Sequence, residues 1–437
     1  MEIDFPTDWK LLPLESCISS IIDYRGKSPR KTKSGIPLIT AKIVKNGRIL
    51  PPEEYIASED YDEWMRRGLP QPGDIIMTTE APLGEVAQLD SRKIALAQRL
   101  ITLRGKPNLL DNNYLKFAMM SEFVQAELKA RATGTTVLGI RQSELRKIEL
   151  PIPPFPEQRA IAHILGTLDD KIELNRHINE TLEAIVRTIF KSWFVDFDPV
   201  RAKADGRKPA GMDAETAALF PDSFEETELG MVPKGWRMGH FDETIELIGG
   251  GTPKTSVPEY WDGDIPWFSI VDAPENSDVF VIDTEKKITK RGLKESSTRL
   301  LLKGTTIITA RGTVGKCALV GNPMAMNQSC YGVRAKDQRG NYFNYFALRN
   351  LVSELQRSTH GSVFDTITSE TFKTIQTAIV PIELTRIFDK KISLFMEQIL
   401  CSLHESDTII TIRNLLLPKL LSGEIRLKDY EVIAEAK

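Results

Sequence analysis

Apolar and polar positions follow two different periods along this chain, and the change of period divides it. Between Pro156 and Phe194 apolar side chains recur at steps of three and four: Leu165, Leu168, Ile172, Leu182, Val186, Ile189 and Trp193, with Asn175 and Asn179 in the same seam. That spacing predicts a helix packed along its length against another helix. Pro156-Glu157 supplies the start, a proline in the first turn followed by an acid. Gly166 is the sole glycine in the run. At 1.5 Å per residue the helix should be roughly 55–60 Å long, more than a single compact domain ordinarily needs.

The pattern occurs twice. A shift of 227 residues carries the seam to Ile392, Phe395, Ile399, Ser402, Ser406, Ile409, Arg413, Leu416 and Leu420. Its polar centre recurs, with Asn175 and Asn179 matched by Ser402 and Ser406. In an antiparallel pair the two centres meet. Polar seam residues then either fix register at a cost in stability or are tolerated near solvent. The stretches before the helices also echo one another. Trp9-Lys10 matches Trp236-Arg237, and Ile36-Pro37-Leu38 matches Ile265-Pro266-Trp267. Gly73 to Thr78 matches Gly304 to Thr309, Gly84 matches Gly315, Gln98 matches Gln328, and Ser143-Glu144 matches Ser369-Glu370. This is a tandem duplication, two versions of one scaffold.

The fold class is α+β: two tandem α+β units, each followed by a long helix, the two helices pairing as an antiparallel coiled coil. The expected division is 1–155 for the first unit, 156–195 for its helix, 196–230 for a linker, 231–382 for the second unit, and 383–425 for the second helix with a tail to 437. In the first unit, Ile36 to Ile43, Asp74 to Thr79, Glu85 to Leu89 and Leu100 to Leu103 are short β-branched or apolar runs bounded by Gly, Pro or charge, and predict strands. Asn113 to Ala132 predicts one helix. Tyr342 to Arg357 repeats that helix in the second unit, and Ser358 to Phe364 the loop after it. The linker reads as mostly loop, with a short helix near Ala214 to Leu219.

An apolar content of 41% is enough to bury a core. No apolar run reaches membrane-spanning length, and the N-terminus lacks a basic-then-apolar signal. Cys17, Cys317, Cys330 and Cys401 have no metal or redox spacing. Together these predict a cytoplasmic protein without a metal site. A net charge of −3 selects no polyanionic partner, so local distribution carries that question.

Two places concentrate base. Ile21 to Arg48 holds Arg25, Lys27, Arg30, Lys31 and Lys33 in a stretch broken by Gly, Ser and Pro, expected to be loop. It is either a solvated charged face or a contact to phosphates and base edges. In the second unit Gly249 to Thr255 fails as a phosphate loop, because Lys254 follows a proline. Thr252 and Lys254 there, and Arg311, Thr313 and Lys316 in a glycine-bearing hairpin, are the matching polar loops. No catalytic set is apparent. The five histidines lack metal-ligand spacing, and Pro151 to Phe155 lacks the Asp or Asn of an amino-methyltransferase motif.

Taken with Phe190-Lys191-Ser192-Trp193-Phe194-Val195-Asp196-Phe197-Asp198-Pro199-Val200-Arg201 and Leu415-Leu416-Leu417-Pro418-Lys419-Leu420-Leu421-Ser422-Gly423-Glu424-Ile425, the Pro-Glu-Gln-Arg helix start resembles the specificity subunit of a type I restriction–modification system. The second helix begins Glu383-Leu384-Thr385-Arg386, a departure from that start. The resemblance implies two target recognition domains, each reading half of a split double-stranded DNA target, with the helices setting the gap. It implies two modification subunits that methylate adenine N6 with S-adenosylmethionine, restriction subunits that use ATP and Mg, and no cofactor on this chain. Neutralising Lys31 and Lys33 should then flatten the salt dependence of binding. Two other classes remain open: a coiled-coil scaffold whose units bind protein, and a stand-alone DNA-modifying enzyme.

Overall fold

The computed structural model describes residues 5–24, 28–228, 230–274, 279–358 and 366–427. It divides into two compact units, Met1–Ile172 with Thr408–Lys437, and Glu173–Asp407. Each unit therefore holds one globular domain and one stretch of each long helix.

In unit 1, strands β1 (Ile18–Asp23), β2 (Ile36–Ile39), β3 (Ile75–Thr79), β4 (Leu83–Gln88) and β5 (Leu100–Gly105) form the framework. The main sheet is antiparallel in the order β1-β5-β3-β4, with Asp23 opposite Ile101 and Thr78 opposite Leu100. A second sheet orders Ala95–Leu96, β2, Tyr55–Ile56 and Lys31–Thr32. Side chains alternate across a strand, so β3 serves two cores. Ile75 and Met77 pack with Tyr114, Leu115 and Phe117 on the helical side, while Ile76 packs with Leu38, Ile39 and Leu96 of the second sheet. Each such burial is worth roughly 1.5–3 kcal/mol.

Three expectations change here. The strand expected over Ile36 to Ile43 ends at Ile39, and Ala41–Ile43 is a 3-10 turn. Lys31–Thr32, expected as loop, is a strand paired to Tyr55–Ile56. The helix expected over Asn113 to Ala132 is two, α1 (Asn112–Met120) and α2 (Glu122–Ala130). Ser121 breaks it: its extended backbone stops α1, and its Oγ donates to Ala118 O and accepts from Val124 N, capping α2.

Helix α3 (Phe155–Phe194) starts in unit 1. Gln158, fully buried, explains its Pro-Glu-Gln-Arg start. Its Nε2 donates to Leu109 O and Pro153 O, and its Oε1 accepts from Asp111 N just before α1. Ile161 and Leu165 pack with Leu420 and Leu421 in the domain core. Asp169 accepts from Lys116 Nζ of α1 (2.6 Å) and from an Arg413 guanidinium nitrogen (2.8 Å). That pair accounts for the arginine interrupting the second apolar seam. Glu157 and Asp8 both accept from Arg426, and Trp9 Nε1 donates to Glu157. In this unit the two helical stretches run antiparallel.

Unit 2 opens with more structure than a loop: helices Asp198–Ala204 and Ala214–Ala218, and a hairpin pairing Phe224–Thr227 with Gly230–Pro233. Strands β6 (Ile245–Gly249), β7 (Trp261–Phe268), β8 (Thr306–Thr309), β9 (Cys317–Val320) and β10 (Cys330–Ala335) follow. The main sheet runs β6-β10-β8-β9 and then Phe280–Val281. The two-faced strand recurs in β8, with Ile308 toward the helical side and Ile307 away from it. Helix α4 (Asn341–Ser358) is unbroken, and α5 (Ile382–Ser422) completes the pair.

Aromatic rings bind helices to domain in unit 2. Phe388 of α5 lies 5.4–6.4 Å from Phe190, Phe194, Phe343 and Phe346. Arg349 donates to buried Glu183 (2.7 Å). Asp389 accepts the Tyr342 and Phe343 N–H groups at the α4 N-terminus, and burial raises its carboxyl to about 6 despite those bonds. At the polar centre Asn175 Nδ2 donates to Glu405, Ser406 Oγ and Ser402 O. Here too the helices run antiparallel. Of the seam residues, Leu165, Asn175, Asn179, Val186, Ile392, Ile399 and Ser402 are buried. Leu168, Ile172, Leu182, Ile189, Phe395, Ser406, Ile409 and Leu416 are half-buried, and Leu174, Ile185, Leu394, Ile412 and Leu415 off the seam are exposed.

Candidate nucleic-acid interface

Antiparallel order places three connections at one end of each main sheet. In unit 2 these are the loop leaving β6, the β8–β9 turn and the residues entering β10, since Gly249 is opposite Tyr331 and Thr309 opposite Cys330. Thr252 and Lys254 lie in the first, and Arg311, Thr313 and Lys316 in the second. Thr252 Oγ1 donates to Gln328 Oε1 of the third, tying two loops together. Lys254, Arg311 and Thr313 are exposed, whereas Lys316 is half-buried. The glycines before Thr252 serve packing. A Cβ on Gly250 would lie 1.8 Å from Asn327 O, and one on Gly251 would lie 2.3 Å from Ser297 Oγ.

The same end of unit 1 is built by the same bonds. Thr79 N donates to Arg99 O (2.9 Å), as Ala310 N does to Ser329 O (2.8 Å). Ile140 N donates to Thr79 O, as Ile367 N does to Ala310 O. Thr78 Oγ1 accepts from Glu85 N, and Thr309 Oγ1 from Lys316 N. Gly84 and Gly315 both sit in the left-handed region, φ +88° and +89°, a conformation glycine adopts without steric cost.

A cleft of about 250 Å³ opens here in unit 1, lined by Thr79, Glu80, Gln98, Arg99, Thr133, Val137, Gly139, Ile140 and Arg141. Arg99 Nε meets Glu80 Oε1 at 2.9 Å. Of the basic residues singled out in the sequence, Arg25 and Lys27 lie outside the described residues, as do 359–364 of the loop after α4. Arg30 and Lys33 are exposed. Lys31 belongs to the second sheet, where its Nζ is 2.8 Å from both Glu54 oxygens. Arg99 and Arg141 have no signature in local composition, because neither lies in a basic run. The match of Gln98 to Gln328 was the available signal.

A family model for the type I restriction modification DNA specificity domain matches twice, at 15–184 and 233–413. The chain belongs to the type I restriction modification DNA specificity family. The HindI specificity subunit of Haemophilus influenzae is 28% identical over 77% of this chain and 82% of its own length. The MjaIX specificity subunit of Methanocaldococcus jannaschii is 25% identical over 97% of this chain and 95% of its own. The type I restriction-modification S subunit of M. genitalium has the same fold, with a TM-score of 0.57 at 17% identity, covering 96% of this chain and 98% of that one. Both matches to the specificity domain span a globular unit together with much of its long helix. Among the described residues no helix of this specificity protein is long and apolar enough to cross a membrane.

Proposed function

We propose that this chain is the non-catalytic DNA-specificity subunit of a type I restriction–modification complex, each globular unit reading one half of a bipartite target. The convergence of three loops at one sheet end, through equivalent backbone bonds in both units, carries this reading. A rigid strand framework presenting variable loops suits a reader whose sequence preference changes while its scaffold persists. Arg30, Lys31 and Lys33 in unit 1, and Thr252, Lys254, Arg311, Thr313 and Lys316 in unit 2, are the proposed DNA contacts, together with Arg25 and Lys27, which lie outside the described residues. Cations there position the duplex through phosphates, and side chains on base edges specify it.

The paired helices act as the spacer. Helices of 40 and 41 residues are about 60 Å long at 1.5 Å per residue. That length exceeds one helical turn of DNA, roughly 34–36 Å. Modification and restriction subunits supply S-adenosylmethionine-dependent adenine methylation and ATP-dependent cleavage, and this chain holds no cofactor of its own. Binding of the assembled complex to its duplex across a salt series tests the interface. Replacing Arg311 and Lys316 by alanine should reduce the logarithmic salt slope by up to about 2, and an unchanged slope would remove them from the DNA.

A further inference from the structure

We propose that Gln98-Arg99 in unit 1 and Gln328-Ser329 in unit 2 are the base-reading elements of the two half-sites, with the glutamine common to both and the second residue different. This rests on the specificity reading above and names the residues that execute it.

Both dipeptides stand where the chain enters an interior strand of its main sheet, β5 or β10. The second residue of each is pinned through its carbonyl, Arg99 O by Thr79 N and Ser329 O by Ala310 N. Arg99 and Ser329 are thus tied to the neighbouring strand's end, and each glutamine stands one residue before that tie. Rigid placement is what a base contact needs, since hydrogen-bond fit decays within fractions of an ångström. Gln328 is exposed and oriented by the Thr252 hydroxyl, and Gln98 stands half-buried on the cleft wall. A glutamine amide presents one donor and one acceptor, the complement of adenine N6 and N7 in the major groove.

The neighbouring position separates the units. Arg99 is held at φ +73°, a backbone region a β-carbon disfavours. Its guanidinium rests on Glu80, with both side chains about half exposed. An exposed pair of this kind is weak in water, so the guanidinium can exchange Glu80 for the O6 and N7 of a guanine, the commonest arginine contact. Ser329 has no such reach. The two half-sites should therefore share an adenine contact, and only the first should fix a guanine beside it.

The test is sequencing of methylated adenines from cells carrying the full chain with its modification subunit. Gln98→Ala should make one position of the first half-site degenerate, discrimination there falling roughly tenfold to a hundredfold, with the second half unchanged. Gln328→Ala should do the reverse, and Arg99→Ser should relax the guanine alone. A uniform fall in methylation with every position still fixed would overturn the proposal. If Gln98→Ala disrupts the fold, Gln98→Glu has nearly the same shape but offers only acceptors. Preference at that position should then move from adenine toward cytosine, and retained adenine would equally overturn it. An unmutated complex yielding no two-part motif would instead refute the specificity reading itself.

Discussion

The two units solve one mechanical problem with different chemistry. Each must fix a globular domain to its stretch of a helix pair. Unit 1 adds charge to the apolar packing of Ile161, Leu165, Leu420 and Leu421: Asp169 of α3 joins Lys116 of the domain to Arg413 of α5, and Glu157 and Asp8 share Arg426. Unit 2 does so largely with rings, Phe190, Phe194, Phe343 and Phe346 gathering around Phe388, supplemented by Glu183–Arg349 and Asp389. At the far end of each domain, by contrast, the backbone bonds that set the loops are nearly the same. Helix attachment can change chemistry after duplication because any strong contact satisfies it. Loop geometry is held because it sets where side chains meet a ligand.

The largest expected effect is Phe388→Ala. Removing a fully buried ring from this aromatic cluster should cost about 3–5 kcal/mol, read as a shifted denaturation midpoint, and it should be insensitive to salt. Asp169→Ala should cost less, about 2–4 kcal/mol, by leaving Lys116 and Arg413 without their shared anion. Its cost should shrink in 1 M salt as counter-ions screen the orphaned cations. Equal salt responses of the two variants would dissolve the contrast between charge and rings.

Asp389 tests unit 2 by pH. Its folded value near 6 stands above the ordinary carboxyl value of 3.8. Between those values the folded chain keeps a proton that the unfolded chain has lost. The contribution of Asp389 to stability is therefore greatest below about pH 4, falls as pH rises to about 6, and is flat above. The total change is about 2–3 kcal/mol. The difference in stability between the unmodified chain and Asp389→Asn should follow that slope; a difference independent of pH would place the carboxyl in solvent. The smallest effect belongs to Lys31→Gln. Its pair with Glu54 is exposed, worth about 0–1 kcal/mol, so stability should barely move. The salt slope of DNA binding should fall by about 1 if the side chain meets a phosphate.

Much of this was legible in the sequence because it is periodic. Heptad spacing announces helix pairing, and a fixed offset exposes a repeat without any contact being known. What was not legible depends on single long-range partners. Arg413 looked like a flaw in an apolar seam until Asp169 stood opposite it. Ser121 sits in a run of good helix formers, and its capping hydroxyl, rather than the apolar period, decides that two helices form. Gly250 and Gly251 fail as a phosphate loop in the sequence, which does not show what they do instead: the backbone of Asn327 and the side chain of Ser297 occupy the space their β-carbons would need. The Glu80–Arg99 pair joins the end of β3 to the entrance of β5 and has no signature in local composition.

The most direct measurement is to co-express the chain with its modification subunit, sequence the methylated adenines, and repeat with residues 1–155 replaced by those of a relative. One two-part motif with a fixed gap, of which the replacement alters one half alone, is the expected result. A soluble complex that gives no motif, or a replacement that changes both halves together, would contradict the assignment of one half-site to each unit.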